Sequence, residues 1–165
     1  MMDILTQKGQ LTLPDEQRAI EIFNHHYSGF KYIETPKNKP AVVDAFLIKD
    51  KELLAIVETK CRYKLKVDYF LNNFEGKWLV TYEKIETARQ MAQKLGVQLV
   101  GFLYLKESDC LMVATLSDND GLFCKKITIE ATETQKTING GKIIRNNAYI
   151  DMSCAVILTM GNNNA

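Results

Sequence analysis

The chain has no apolar stretch that approaches the ~20 residues of a membrane-spanning helix, which argues against a helical membrane anchor. It has no Cys-x-x-Cys pair. Its four cysteines, Cys61, Cys110, Cys124 and Cys154, are widely scattered, which speaks against a zinc or iron–sulfur centre and suits reduced thiols. Only two histidines occur, adjacent at His25 and His26, so no second cluster exists to complete a histidine-built metal site. No Gly-x-x-x-x-Gly-Lys stretch is present, so no helicase-type phosphate loop is encoded. Charge of one sign is not in large excess. Twenty-one basic residues face 20 acidic ones, without the overall basic surplus usual in nucleic-acid-binding proteins. The opening Met1-Met2-Asp3-Ile4-Leu5-Thr6-Gln7-Lys8 lacks a basic start followed by an apolar run, so we expect no secretory signal and a cytoplasmic protein. Internal repeats and low-complexity segments are absent.

What is present describes an ordinary globular domain. The chain is 165 residues long, 46% hydrophobic and 25% charged, enough to bury one core. We expect a single domain over residues 1–160, with a core at 14–116, a C-terminal β-region at 123–158 and a disordered tail at 161–165. Pro14 to Tyr27 reads as a first helix, with proline in its first turn, acids at 15 and 16, and Gly29 after its end. Its predicted apolar stripe is Ala19, Ile20, Phe23 and Tyr27. Tyr32–Thr35 reads as a short strand. Residues 61–80 look irregular, apart from a short helix near Val67–Asn73 that Gly76 ends. Thr81 is placed to cap a long helix over Tyr82–Leu95, which Gly96 closes. Residues 97–105 and 110–116 read as buried strands. A helix between the strands at 53–60 and 97–105 predicts parallel or mixed pairing there. Residues 123–131 and 142–158, with a turn at Asn139-Gly140-Gly141, read as further strands that extend the sheet or fold against it.

The chemistry concentrates in two consecutive apolar runs, Ala41–Ile48 and Leu53–Lys60, joined by Lys49-Asp50-Lys51-Glu52. The pattern predicts a tight β-hairpin. With residues 49–52 as the loop, Asp44 falls opposite residue 57 or 58. Lys60 lies two positions past Glu58 and so shares its face. Two carboxylates and an ammonium then converge at one end of a greasy strand pair, where uncompensated charge is costly. A divalent cation held by both carboxylates would compensate it. The alternative is a salt-bridge cluster at a strand end. Downstream, residues 60–66 place four cations in seven positions, and Lys37 and Lys39 precede the first strand. These charges flank the proposed site, either along the path of a phosphate backbone or as a solvated basic loop.

Asp44, a hairpin and then Glu58-Thr59-Lys60, with a helix before and a helix–strand pair after, resembles the signature of the PD-(D/E)XK nuclease superfamily over residues 14–116. Val43 stands where the family's short name has proline. The resemblance implies a restriction-endonuclease-like α/β fold, with a mixed central sheet flanked by helices and extra C-terminal strands. It implies a Mg²⁺-dependent (or Mn²⁺-dependent) deoxyribonuclease, with Asp44, Glu58 and the Thr59 carbonyl holding metal. Lys60 would position the water. Its acidic neighbours favour the ammonium form and argue against its acting as a base. A Glu on the first helix often joins such sites. Glu16, in the middle of the predicted apolar stripe, is the expected fourth carboxylate, with a first-turn acid serving the helix dipole as the alternative. Lys37, Lys39, Arg62, Lys64 and Lys84 are the expected nucleic-acid contacts. Lys84 otherwise reads as a solvent-facing lysine. Trp78 and Tyr82 read as packed aromatics or as base-stacking groups. The expected partner is DNA, with RNA open, in a bacterial or phage-infected cell. The small single domain is expected to be an independent nuclease or a subunit of a larger complex, with a two-fold homodimer open. A silent nucleic-acid-binding module and a phage or viral assembly protein are the rival readings.

Overall fold

A computed structural model describes residues 13–36, 38, 41–135 and 141–161. Lys37, Lys39, residues 1–8, the Asn139-Gly140 part of the predicted turn and residues 162–165 lie outside them. Among the described residues, three α-helices, α1 (Leu13–His26), α2 (Val67–Asn73) and α3 (Tyr82–Leu95), combine with nine strands. These are β1 (Phe30–Glu34), β2 (Ala45–Lys49), β3 (Glu52–Arg62), β4 (Lys77–Thr81), β5 (Gln98–Leu105), β6 (Cys110–Ser117), β7 (Ile127–Gln135), β8 (Lys142–Asp151) and β9 (Val156–Leu158). A six-stranded sheet runs β1-β2-β3-β5-β6-β9, and a three-stranded sheet runs β4-β8-β7. Strands β3 and β5 pair in parallel, and the other neighbours in both sheets are antiparallel. The fold is therefore α/β with a mixed central sheet, as the pattern predicts. No helix among the described residues is long and apolar enough to cross a membrane.

The large sheet is covered on both faces. Helix α1 buries Ala19, Ile22 and Phe23 against Val57, Cys61, Phe102, Tyr104 and Leu111. The other face carries α3 and the small sheet, where Trp78, Ile85, Ala88 and Ile150 pack on Ile56, Leu99, Leu103 and Met112. Alternate residues of β3 and β5 thus serve two separate cores, as a two-sided strand requires. The seam of α1 differs from the expected stripe. Asp15, Ala19, Ile22 and Phe23 are its buried residues, while Tyr27 is 37% exposed. The helix is turned so that Asp15, not Glu16, occupies the core-facing position of the first turn.

The β2–β3 hairpin is tighter than expected. Only Asp50 and Lys51 form the loop, both with positive φ (51° and 67°), the conformation that matches the twist of a two-residue hairpin. A bulge follows. Ile48 pairs with Leu53 but Leu47 pairs with Ala55, leaving Leu54 as the extra residue. The shift carries through to Ala45 opposite Val57, and so brings Asp44 opposite Glu58.

Strand β4 was not expected. Its five residues follow Gly76 in a stretch that reads as irregular, and its partner β8 lies far along the chain. The C-terminal residues split between both sheets. Strands β7 and β8 build the small sheet with β4, and β9 pairs with β6 at the edge of the large one. In β5, Gly101 stands beside Glu58 in parallel register. A Cβ on Gly101 would lie 2.6 Å from the Trp78 ring. The indole occupies the space a side chain would fill, and Trp78 is 1% exposed, so it is a packed aromatic and not a base-stacking platform.

Candidate functional site

Strand β3 emerges from the hairpin between β2 and β5, with Glu58 and Lys60 on the face that α3 covers and Val57, Thr59 and Cys61 on the α1 face. Asp44 immediately precedes β2. Its backbone is tied down by Thr35, whose N–H donates to the Asp44 carbonyl at 3.0 Å and whose hydroxyl donates to the carbonyls of Val43 and Asp44 at 2.8 and 2.9 Å. Its side chain is oriented by β3, because the Thr59 N–H donates to Asp44 Oδ2 at 2.8 Å. The other oxygen, Oδ1, faces Lys84 Nζ at 3.2 Å. The same ammonium lies 3.1 Å from Glu58 Oε1, and Lys60 Nζ lies 3.6 Å from that atom. Asp44, Glu58, Lys60 and Lys84 therefore form one cluster, contributed by the residue before β2, by β3 and by the first turn of α3.

Glu58 is fully buried, and neither of its oxygens has a hydrogen-bond partner among the described residues. Oε1 lies within ion-pair distance of both ammonium groups. Burial, and then the Asp44 charge, push the Glu58 carboxyl up to about 7, against the opposing pull of Lys84 and Lys60. The Lys84 ammonium is held above its ordinary range. Burial alone would lower it, but Glu58 and Asp44 outweigh that loss of hydration. Lys60 goes the other way. Burial is the largest influence and the Lys84 charge adds to it, so the amine sits below its ordinary value despite Glu58. Burial and the second lysine thus oppose the acidic neighbours that were expected to favour its ammonium form.

Thr59 joins the two faces of the sheet. Its N–H serves Asp44, while its hydroxyl shares a 2.9 Å hydrogen bond with Tyr32 on the α1 side. Burial raises the pKa of the Tyr32 hydroxyl, and the charges of Asp44 and Glu16 raise it further. Glu16 is thereby placed. It is half-buried on the helix that covers the opposite face, and its charge is felt at Tyr32 and Cys61.

Two of the expected phosphate contacts have other partners. Lys84 is committed to the two carboxylates. The Arg62 guanidinium donates to the carbonyls of Cys61 and Leu79 at 3.2 and 2.9 Å and so ties β3 to β4. Lys64 is exposed. His26 is engaged with the Thr159 carbonyl at 2.6 Å, consistent with a structural role at the end of α1. The residues that the motif does not announce are Tyr32 and Thr35, which position Asp44 and Thr59 from β1 and its exit. Lys84 did leave a signal. A cation in the first turn of a helix opposes the dipole and so needs an acidic partner elsewhere.

The donor set fits a hard divalent cation. Two carboxyl groups converge, and Glu58 Oε2 is a buried oxygen with no hydrogen bond to satisfy it among the described residues. No group of three or more His, Cys, Asp or Glu side chains able to hold a metal occurs among the described residues, so water and ligand oxygens would have to complete the coordination of an ion on Asp44 and Glu58. No protein-family model matches the chain, and no curated protein is significantly similar to it.

Proposed function

We propose that the protein is a Mg²⁺- or Mn²⁺-dependent nuclease that hydrolyses phosphodiester bonds in DNA. The observation that carries this reading is the meeting of Asp44, Glu58 and Lys60 at one strand end, with Glu58 fully buried and its Oε2 without a hydrogen bond. A purely structural ion-pair cluster would be expected to satisfy that oxygen, since an unmatched buried carboxylate oxygen is costly. A helix before the hairpin and a helix–strand pair after it, here α1, then α3 and β5, is the setting in which the resemblance to PD-(D/E)XK nucleases puts these residues. The restriction-endonuclease-like fold is part of this proposal.

Asp44 and Glu58 would hold the ion through carboxylate oxygens, with the Thr59 carbonyl beside them. When bound, such an ion acidifies a water and neutralises charge at phosphorus. Lys60, 3.6 Å from Glu58, is suited to orient that water and to steady developing charge. Thr35 and the Thr59 N–H keep Asp44 in place. Lys64 remains available as an exposed phosphate contact.

The test is incubation with single- and double-stranded DNA and with RNA, with and without Mg²⁺ or Mn²⁺. Metal-dependent cleavage that Asp44→Ala and Lys60→Met each reduce at least a hundredfold is the expected result. Lys60→Met should still bind Mn²⁺. Absence of cleavage on every substrate, or cleavage that survives both substitutions, would overturn the reading. A DNA shift without cleavage would favour a binding module, and no affinity for nucleic acid would favour an assembly role.

A further inference from the structure

The carboxylate pair is already matched in charge before any metal arrives. Lys84 Nζ lies 3.1 Å from Glu58 and 3.2 Å from Asp44, and Lys60 Nζ lies 3.6 Å from Glu58. A divalent ion on the same oxygens would add two positive charges beside two ammonium groups, around a carboxylate that is wholly buried. Like charges a few ångströms apart in such a medium repel strongly. One ammonium must therefore withdraw.

The two lysines differ in their freedom to do so. Lys60 projects from the C-terminal part of β3, whose backbone is paired with β5 over Ala55–Arg62. Lys84 stands in the first turn of α3, where the helix dipole already disfavours a cation. What holds Lys84 in place is the pair of carboxylates. Its ammonium lies between an oxygen of Asp44 and an oxygen of Glu58, as an ion bridging the two would.

We propose that Lys84 is a placeholder for the metal. In the metal-free protein its ammonium bridges Asp44 and Glu58, and binding of a divalent cation displaces it, freeing the side chain to meet an incoming phosphate. This inference rests on the proposal that Asp44 and Glu58 hold a divalent ion. It makes Lys84 a positioning residue that keeps the two acids together and also raises the metal concentration needed to load them. Removing it removes a competitor, so metal binding becomes tighter while the empty site is left with two facing acids.

The experiment is Mn²⁺ titration by calorimetry of the wild-type protein, Lys84→Met and Asp44→Ala, without nucleic acid. Alongside it, lysine acylation of the wild-type protein is mapped by peptide mass spectrometry with and without saturating Mn²⁺. Lys84→Met should bind Mn²⁺ on the order of tenfold more tightly than wild type, and Asp44→Ala should lose binding. Mn²⁺ should raise the labelling of Lys84 several-fold and leave the exposed Lys51 and Lys94 unchanged. Equal or weaker Mn²⁺ binding by Lys84→Met, in a protein whose wild type binds in an Asp44-dependent way, overturns the placeholder and leaves the metal reading standing. So does unchanged Lys84 labelling at saturation. If neither wild type nor Lys84→Met binds Mn²⁺, the metal reading falls and the placeholder with it. Should Lys84→Met fail to fold, the wild-type labelling decides the question.

Discussion

Asp44 Oδ2 accepts a 2.8 Å hydrogen bond from the backbone N–H of Thr59, the residue between Glu58 and Lys60. One side chain thus senses the register of the neighbouring strand. A slip of one residue would turn Glu58 and Lys60 to the α1 face and take the Thr59 N–H away from Asp44. The hydrogen bond and the cluster stand or fall together.

That linkage predicts two separable losses at Asp44. Asp44→Ala should lose Mn²⁺ binding and also destabilise the fold by about 1–3 kcal/mol, because a charge-assisted hydrogen bond to the strand is removed. Asp44→Asn retains an acceptor oxygen and should recover most of that stability without recovering metal binding. Urea denaturation paired with calorimetry checks both. Equal destabilisation by the two variants would refute the role assigned to the Thr59 N–H.

Glu58 makes the metal-free protein sensitive to pH. Its folded-state value of about 7 lies above the ordinary 4.5, so the native state binds a proton that the unfolded chain has already released between those values. The resulting stability is fully present below about 4.5 and is lost as pH rises through 7, by up to about 3 kcal/mol. Thermal unfolding without divalent ions should show Tm falling across that window. Glu58→Gln, which cannot titrate, should flatten the slope. Mn²⁺ affinity should move in the opposite sense and rise with pH, because the ion competes with that proton.

Gly101 should tolerate no side chain. Gly101→Ala brings a Cβ to 2.6 Å from the Trp78 ring and 3.1 Å from Leu116, in a core with no slack. A loss of about 1–3 kcal/mol is expected from overpacking. Because the indole lies over the strand position next to Glu58, Trp78 fluorescence should shift as well. A neutral substitution with unchanged emission would show that the indole is free to move.

The hairpin loop offers a change of opposite sign. Lys51 adopts φ of 67°, a conformation that costs a residue with a Cβ more than it costs glycine. Lys51→Gly creates Asp-Gly, the favoured pair for such a loop. It should raise stability by about 0.5–1 kcal/mol, read as a higher denaturation midpoint at constant slope.

Much of this was legible in local pattern. The bounds of α3, its closure by Gly96 in the left-handed conformation and the strands around the motif follow from apolar periodicity and punctuating residues. The β4 strand was not legible, because a five-residue run acquires its strand character from a partner some seventy positions away. The orientation of α1 was one residue out for a related reason. A helix with apolar residues on neighbouring faces is rotated into place by what it packs against, and here Ile22 and Phe23 fit the sheet where Tyr27 does not.

By itself, the sequence determined that Glu58 and Lys60 share a face and that Asp44 comes within reach of them, because strand alternation and a short loop leave little choice. Only the tertiary structure decided what those charges experience. The bulge at Leu54 set Asp44 against Glu58. Packing closed over Glu58 and Lys60 and moved both toward their neutral forms. The docking of α3 carried Lys84 across the sheet to the two acids, turning an expected surface cation into the centre of the site. Burial and the distance between charges depend on elements far apart in the chain, and no local pattern encodes them.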